Sequence, residues 1–359
     1  MASCVTQFIP EVEETKEMLV VEGLITNNPN NIVKLSKSLP LGDKKTAAPL
    51  SGCNVWVTDD KNGRFDLFES PKGTYTMHAA GVAGRKYTLH INTNNSYRNR
   101  YTFQSYPVEL LPVPPVDSIY YEKVPLKPSG PYDNTVDDCQ IYINTSDPDN
   151  VCKFFRWDFT ETWEIRIPFS KALNNRCWVT EESQEINVKS TAGLSQSYIQ
   201  HYPLHFITNA TDRLKVKYSM LVNQFSVGEE EFSYWEKLKA MTQDIGSLYD
   251  VTPASIPNNL YCIENPSEKV LGYFSVSSVK SKRVFISDYF REQPNLYYDC
   301  VHDTIYGNYP VIPGLNVSVW ILEYDYGPGA NPAFTSITYT RGCADCTVRG
   351  TNVKPSFWK

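Results

Sequence analysis

The chain has 359 residues, of which 41% are hydrophobic and 21% charged, and its formal net charge is −6. This length exceeds what one compact core usually holds, so we expect a folded protein of two domains. The acidic balance argues against a nucleic-acid-binding surface, and no apolar run reaches the roughly 18 residues that a membrane-spanning helix needs.

The N-terminus carries Ser3 and Cys4 with no hydrophobic segment before them, and an acidic stretch follows from Glu11 to Glu17. A cysteine in this position is typical of a lipoprotein whose signal peptide is missing, in which Cys4 is the first, acylated residue. An ordinary N-terminal cysteine is the alternative, and the missing hydrophobic segment leaves both open. We interpret residues 1–17 as an N-terminal tether with Cys4 as its candidate lipid anchor.

Residues 18–110 contain short strand-like segments separated by turn residues. Apolar or alternating patterns occupy 18–25 and 53–58, while Asn- and Asp-rich stretches at 27–31 and 59–63 supply turns. Short strands at this spacing predict an immunoglobulin-like β-sandwich.

A proline-rich segment at 111–117 predicts a semi-rigid linker to a second, larger β-rich domain at 118–359. One clear helix interrupts this domain near 228–244. Ser226 and Glu229 have the spacing of a capping box, and acidic residues fill the first turn. The predicted apolar face of this helix consists of Phe232, Trp235, Leu238 and Met241. The whole chain is therefore predicted to be all-β, with one helix.

The strand pattern is clearest at residues 152–167. The odd positions carry large apolar residues, among them Trp157, Phe159 and Trp163, and the even positions carry polar ones. Glu161 breaks this pattern because it places a carboxylate on the apolar side. We predict that Glu161 is a buried structural carboxylate, paired with an Arg, Lys, Tyr or Trp donor.

Cysteines are concentrated in the second domain, which is typical of disulfides in an exported protein. The candidate disulfide cysteines are Cys139, Cys152, Cys177, Cys262, Cys300, Cys343 and Cys346. A bond between Cys343 and Cys346 would close a small, strained ring, so pairing of one of them with a distant cysteine such as Cys300 is equally plausible. Zinc binding by this pair is disfavoured because no second pair with zinc-finger spacing exists.

The sequence contains no recognisable catalytic motif, metal site or cofactor site, and we expect no enzyme activity. His201 and His205 are the one close histidine pair, and Pro203 between them excludes a helix interior. In a regular strand they would share a face about 13 Å apart, too far for one metal ion. The Asp147–Asn150 stretch fits a turn better than a calcium site.

Several stretches, taken in order, resemble one protein family. They occupy residues 19–26, 111–122, 155–164, 270–275, 343–346 and 350–358. The chain is similar to domain-of-unknown-function 4249 (DUF4249) proteins, outer-membrane lipoproteins of the Bacteroidota that are often encoded beside SusC/SusD-type transporters. This resemblance favours Cys4 as a lipid anchor and implies an outer-membrane protein facing the cell exterior.

The resemblance implies an accessory role in nutrient uptake, with a TonB-dependent transporter and its lid lipoprotein as partners. We expect the chain to bind an oligopeptide or glycan without catalysis and to contact the membrane only through its anchor. The alternatives are a structural or adhesion scaffold and an unrecognised hydrolase. Exposed aromatic residues clustered on one face of the second domain would favour binding.

Overall fold

The computed structural model of the protein describes residues 17–39, 46–94, 97, 100–126, 135–169, 172, 174–242, 256–291, 297, 300, 303–306, 320–326 and 332–359. The described part is predominantly β, as the alternating patterns predict. Its strands are β1 (Leu19–Ile25), β2 (Asn31–Lys37), β3 (Asn54–Asp59), β4 (Arg64–Glu69), β5 (Thr74–Met77), β6 (Lys86–Asn92), β7 (Thr102–Ser105), β8 (Val108–Glu109), β9 (Val116–Leu126), β10 (Val136–Asp147), β11 (Phe154–Arg166), β12 (Arg176–Glu182), β13 (Asn187–Ser190), β14 (Ser197–Ile207), β15 (Lys217–Ser226), β16 (Leu260–Cys262), β17 (Val270–Val276), β18 (Val279–Ile286), β19 (Asp303–Tyr306), β20 (Trp320–Tyr326) and β21 (Pro332–Thr338).

The N-terminal strands form a 10-stranded sheet in the order β16-β7-β6-β3-β4-β5-β2-β1-β17, with β8 beside β6. Its two ends meet, because the Asn259 side chain exchanges hydrogen bonds with the backbone of Phe274 at 2.8 and 3.0 Å. The sheet is thus one continuous path that nearly closes into a barrel. It differs from the expected immunoglobulin-like sandwich, which has two separate sheets.

Two strands of this sheet come from beyond the predicted linker. Strand β17 pairs in parallel with β1, with Leu19 opposite Val270 and Ile25 opposite Val276. Gly272 has a φ of +92°, and a Cβ atom there would lie 1.9 Å from the Val21 carbonyl oxygen, so this close approach requires glycine. The predicted linker at 111–117 therefore does not mark the boundary between the two structural units, because residues 260–276 return to complete the first sheet.

The second unit is a sandwich. A 3-stranded sheet, β14-β10-β9, faces a sheet in the order β12-β11-β15-β18 with β13 beside β11. Inward residues from both sheets build a common core that includes Ile141, Ile143, Trp157, Phe159 and Tyr218. The alternation at 152–167 corresponds to β11 at the centre of the larger sheet.

Helix α1 (Glu229–Thr242) connects the two units, since it contacts β11 and β13 of the sandwich and β17 of the first sheet. Its buried residues are Glu231 and Tyr234, whereas Met241 is 40% exposed. The predicted apolar face is partly buried, since Phe232 packs against Phe154 with ring centroids 5.2 Å apart. Tyr234 lies against Tyr273 of β17, with ring centroids 4.8 Å apart.

Two disulfides hold the C-terminal region. Cys177 of β12 bonds to Cys346, and Cys300 bonds to Cys343 in the short helix α2 (Arg341–Ala344). The two neighbouring cysteines thus each pair with a distant one. A further sheet, in the order β19-β21-β20, is formed by strands that lie between Cys300 and Cys343 in the chain.

The other three candidate disulfide cysteines, Cys139, Cys152 and Cys262, are free thiols, so that expectation is wrong for them. Each is buried, and burial raises the pKa of the Cys139 and Cys152 thiols to about 12. Cys139 and Cys152 pack in the sandwich core and Cys262 packs in the first sheet. They act there as small apolar side chains.

Candidate functional site

The outer side of the sheet β14-β10-β9 carries a cluster of aromatic rings. Along β10, Ile141 and Ile143 are buried, so Tyr142 between them points away from the core. Strand pairing sets Tyr142 opposite Tyr120 of β9 and opposite Pro203 of β14. Cross-strand neighbours of this kind lie close enough for ring contacts.

Three rings form the centre of this cluster. The Tyr142 and His201 rings are stacked, with centroids 3.9 Å apart and planes inclined by 16°. Tyr120 stacks on Tyr142 at 5.5 Å, and its hydroxyl lies 2.6 Å from His201 Nδ1. All three rings are mutually in contact, so each restricts the rotamers of the other two.

Backbone irregularities place His201 on this outer side. The register of β14 against β10 shifts between Ile143 and Thr145 and again between Ile141 and Tyr142. His201 has a φ of +55°, in the left-handed region, and its backbone N–H donates to Asn144 Oδ1 at 2.7 Å. Non-glycine residues in this conformation are uncommon and concentrate at functional sites.

Two further rings extend the cluster along the sheet. Tyr198 lies opposite Ser146 and is 49% exposed, and Phe206 lies opposite Gln140 and is 42% exposed. We call the set Tyr120, Tyr142, Tyr198, His201 and Phe206 the aromatic face. From Gln140 to Ser146 the face is about 20 Å long at roughly 3.3 Å per residue.

A charged network lies on the inner side of the same strands. Glu161 is only 5% exposed, and its carboxylate accepts hydrogen bonds from the Tyr218 hydroxyl at 2.9 Å and from Arg213 Nε at 3.1 Å. His205 lies between two carboxylates, with Nδ1 2.8 Å from Glu185 and Nε2 3.5 Å from Glu161. Glu161 therefore has the partners that a buried carboxylate requires.

The network sets the charge of its members. Burial disfavours ionisation of Glu161, but His205, Arg213 and Tyr218 outweigh it and hold the Glu161 pKa below its usual value. Burial also disfavours the charged form of His205, yet Glu161 and Glu185 raise the His205 pKa to about 9. His205 is thus an imidazolium at neutral pH. This cation links β14 of one sheet to Glu161 in β11 of the other.

A profile of the domain of unknown function DUF4249 matches residues 5–283. The chain belongs to the DUF4249 family. No curated protein matches this DUF4249 chain. The matched region ends within β18, so the disulfide-linked cysteines Cys300, Cys343 and Cys346 lie beyond it. The family description states no activity, and functional reasoning therefore rests on the geometry of the chain.

The structure of the DUF4249 chain separates the histidines that the sequence paired. His201 lies on the aromatic face and His205 in the charged network, so the expectation that they share a face is wrong. The register shift between Tyr142 and Ile141 is the reason, because it leaves Leu204 as one extra residue between Pro203 and His205 and so inverts the alternation once. Asp147 is engaged in its own turn, where its carboxylate accepts backbone N–H groups of Asp149, Val151 and Cys152.

Residues 1–16 of the predicted 1–17 tether in this DUF4249 chain, the candidate lipid anchor Cys4 among them, lie outside the described residues. Within the described ranges, no group of three or more His, Cys, Asp or Glu side chains is arranged to hold a metal ion, and no helix is long and apolar enough to cross a membrane.

Sequence reasoning on the DUF4249 chain missed the aromatic face. The available signal was local: Tyr120 lies between Ser118 and Glu122 at alternate positions, and Tyr142 lies between Gln140 and Asn144. A tyrosine in the polar half of an alternating strand indicates a ring on the solvent side. The contact between these rings could not be read from the sequence, because it depends on the pairing of three strands.

Proposed function

We propose that this protein is a surface lipoprotein that captures a glycan on the aromatic face, without catalysis, for a TonB-dependent uptake system. The observation that carries the proposal is the cluster of Tyr120, Tyr142 and His201, three rings in contact on the outer side of a sheet. Side chains that already restrict one another lose little conformational freedom when a ligand binds. Exposed rings grouped on one face are typical of binding surfaces.

A glycan fits this face better than an extended peptide does. A peptide that adds to a sheet needs a regular edge strand with free backbone groups. Of the two edge strands, β14 contains Pro203 and two register shifts, and β9 contains Pro125 and one register shift, so both rows of donors and acceptors are interrupted. Sugar rings instead pack on aromatic faces, and the Tyr198 ring of this face is 49% exposed.

Attachment and partners form the second half of the proposal. Acylation of Cys4 would hold the chain at the outer membrane, facing outward, beside a TonB-dependent transporter and its lid lipoprotein. The two disulfides support an oxidising compartment, since such bonds persist in exported proteins. Incorporation of a fatty-acid probe into the full-length chain in its host, but not into Cys4→Ala, tests the attachment.

Capture is tested with the full-length chain and its Tyr142→Ala variant on a glycan array and on a pool of random peptides. We expect the wild-type chain to bind glycans and Tyr142→Ala to bind about tenfold more weakly, equivalent to about 1.4 kcal/mol. Tyr289→Ala is the matched control, because Tyr289 is 77% exposed and lies outside the aromatic face.

Each outcome of the capture experiment decides between functions. Binding of peptides and not of glycans would replace the glycan with a peptide ligand. Release of shortened glycans from the array would identify a hydrolase. Absence of binding to both pools, together with co-purification of the transporter, would identify a scaffold. Equal losses of glycan affinity in Tyr142→Ala and Tyr289→Ala would show that the binding site lies outside the aromatic face.

A further inference from the structure

A small cavity lies where helix α1 packs against β11 and β13, away from the aromatic face. Its volume is about 30 Å³, and its lining residues are Arg156, Trp157, Glu185, Ile186, Asn187 and Trp235. This volume holds one or two water molecules or the end group of a larger ligand, but not a sugar ring.

Two hydrogen-bond donors on the lining residues are buried and have no partner. They are Nε of Arg156 and Nδ2 of Asn187. Asn187 as a whole is only 5% exposed. Buried donors are nearly always satisfied in folded proteins, and two exceptions beside one cavity indicate that an acceptor binds there.

The Arg156 guanidinium is fixed by rings. Its Cζ lies 4.2 Å from the centroid of the Phe225 ring and 4.9 Å from that of Trp235. Its NH1 group lies 3.5 Å from Asp158, so this contact leaves Nε free. Stacking therefore orients the group while one of its strong donors stays available.

The surrounding charges disfavour an anion in this cavity. Asp158 already offsets the charge of Arg156. Glu185 is one of the lining residues, and the buried Glu231 accepts a hydrogen bond from Trp235 Nε1 at 3.1 Å. Because Asp158 already offsets the charge of Arg156 and His205 pairs with Glu185, no uncompensated cation is left to hold a carboxylate or phosphate, whereas a neutral carbonyl oxygen needs only the two donors.

We propose that this cavity binds the acetamido group of an N-acetylated ligand. The carbonyl oxygen accepts from Arg156 Nε and Asn187 Nδ2, and the methyl group packs on Trp235 and Ile186. An N-acetyl amino sugar and an N-acetylated peptide both present this group, so the acetamido chemistry defines the site and the source is determined by experiment. The proposal is independent of the glycan capture proposed for the aromatic face.

The test uses ligand-observed NMR on the full-length protein with acetamide, acetate, N-acetylglucosamine and an N-acetylated amino-acid amide. We expect saturation transfer to the acetyl methyl of the three amide-containing probes and not to acetate, with dissociation constants in the millimolar range for such small ligands. The stronger of the two larger probes identifies the source.

Variants locate the binding. Asn187→Leu removes the unpaired donor and keeps an apolar shape, so the fold is expected to stay intact while acetamide binds about tenfold more weakly. Arg283→Gln is the control, because Arg283 also stacks on a ring, that of Phe357 at 3.6 Å, but does not line the cavity. Loss of binding in Asn187→Leu with an unchanged thermal midpoint supports the proposal.

Four outcomes would overturn the proposal. Absence of transfer to every amide probe would mean that the cavity holds water only. Equal binding of acetate would mean that charge, and not the neutral carbonyl, is recognised. Unchanged binding in Asn187→Leu, or an equal loss in Arg283→Gln, would place the amide elsewhere on the protein.

Discussion

His201 and His205 lie four residues apart on β14, yet the structure gives them opposite environments. His201 is exposed, stacks on Tyr142 and has a left-handed backbone. His205 is enclosed between Glu161 and Glu185 and has a pKa raised to about 9. The same residue type thus serves in a candidate binding surface on one side of the sheet and in a structural ion network on the other.

The difference shows how to separate binding groups from structural groups in this protein. On the inner side, Glu161 has three partners within one network, so removing Glu161 leaves all three without their shared acceptor. On the outer side, the rings contact one another and solvent, so losing one ring leaves no unpaired charge. We therefore expect inner substitutions to reduce stability and outer substitutions to reduce binding.

We expect the largest loss of stability from Glu161→Ala. This change leaves Arg213, His205 and the Tyr218 hydroxyl without their shared acceptor and should lower the free energy of unfolding by about 3–5 kcal/mol. Glu161→Gln should cost less, because the amide oxygen still accepts from Tyr218. Glu122→Ala, an exposed glutamate on the outer side of β9, is the matched control and should change stability by less than about 0.5 kcal/mol. Urea unfolding of the three variants measures these differences, and similar losses for Glu161→Ala and Glu122→Ala would refute the distinction between the two sides.

The next effect concerns pH. The folded pKa of His205, about 9, lies above its unfolded value of roughly 6.5. Its contribution to stability is therefore complete below the unfolded value and is lost as the pH rises through the folded one. The contribution amounts to about 3 kcal/mol.

Urea unfolding across this pH window should show a fall in stability for the wild type that His205→Gln lacks. His201→Gln, the outer histidine, should keep the wild-type slope. Parallel pH profiles for wild type and His205→Gln would show that the imidazolium is not held by the two carboxylates.

The smallest effect tests the backbone of His201. Glycine adopts a positive φ without steric cost, whereas alanine does not. Both His201→Gly and His201→Ala lose the stacking on Tyr142, so their difference reports the backbone alone. We expect His201→Gly to be more stable than His201→Ala by about 1 kcal/mol in thermal unfolding. A more stable alanine variant would show that the left-handed conformation is not imposed by β14.

Local patterns were reliable where one strand or one turn of helix carried the information. The alternation around Trp157 and Phe159 predicted the core side of β11, and a helix was expected near 228–244, close to the observed α1. The expected capping box is wrong, because Ser226 is the last residue of β15 and its buried hydroxyl caps no helix. The buried position of Glu161 follows from the same alternation. The burial of Tyr234 in place of Met241 was not predictable, because it depends on the contact of α1 with β17.

The sequence by itself determined the secondary-structure class of this protein, the sides of its regular strands and the family to which it belongs. Only the tertiary structure decided the parallel pairing of β17 with β1, the partners of each cysteine and the separation of His201 from His205. The physical reason is that side-chain alternation is a local property of one strand. Strand pairing, β-bulges and ring contacts arise between segments that are distant in the chain, and a single extra residue in a bulge inverts the side on which every following residue lies.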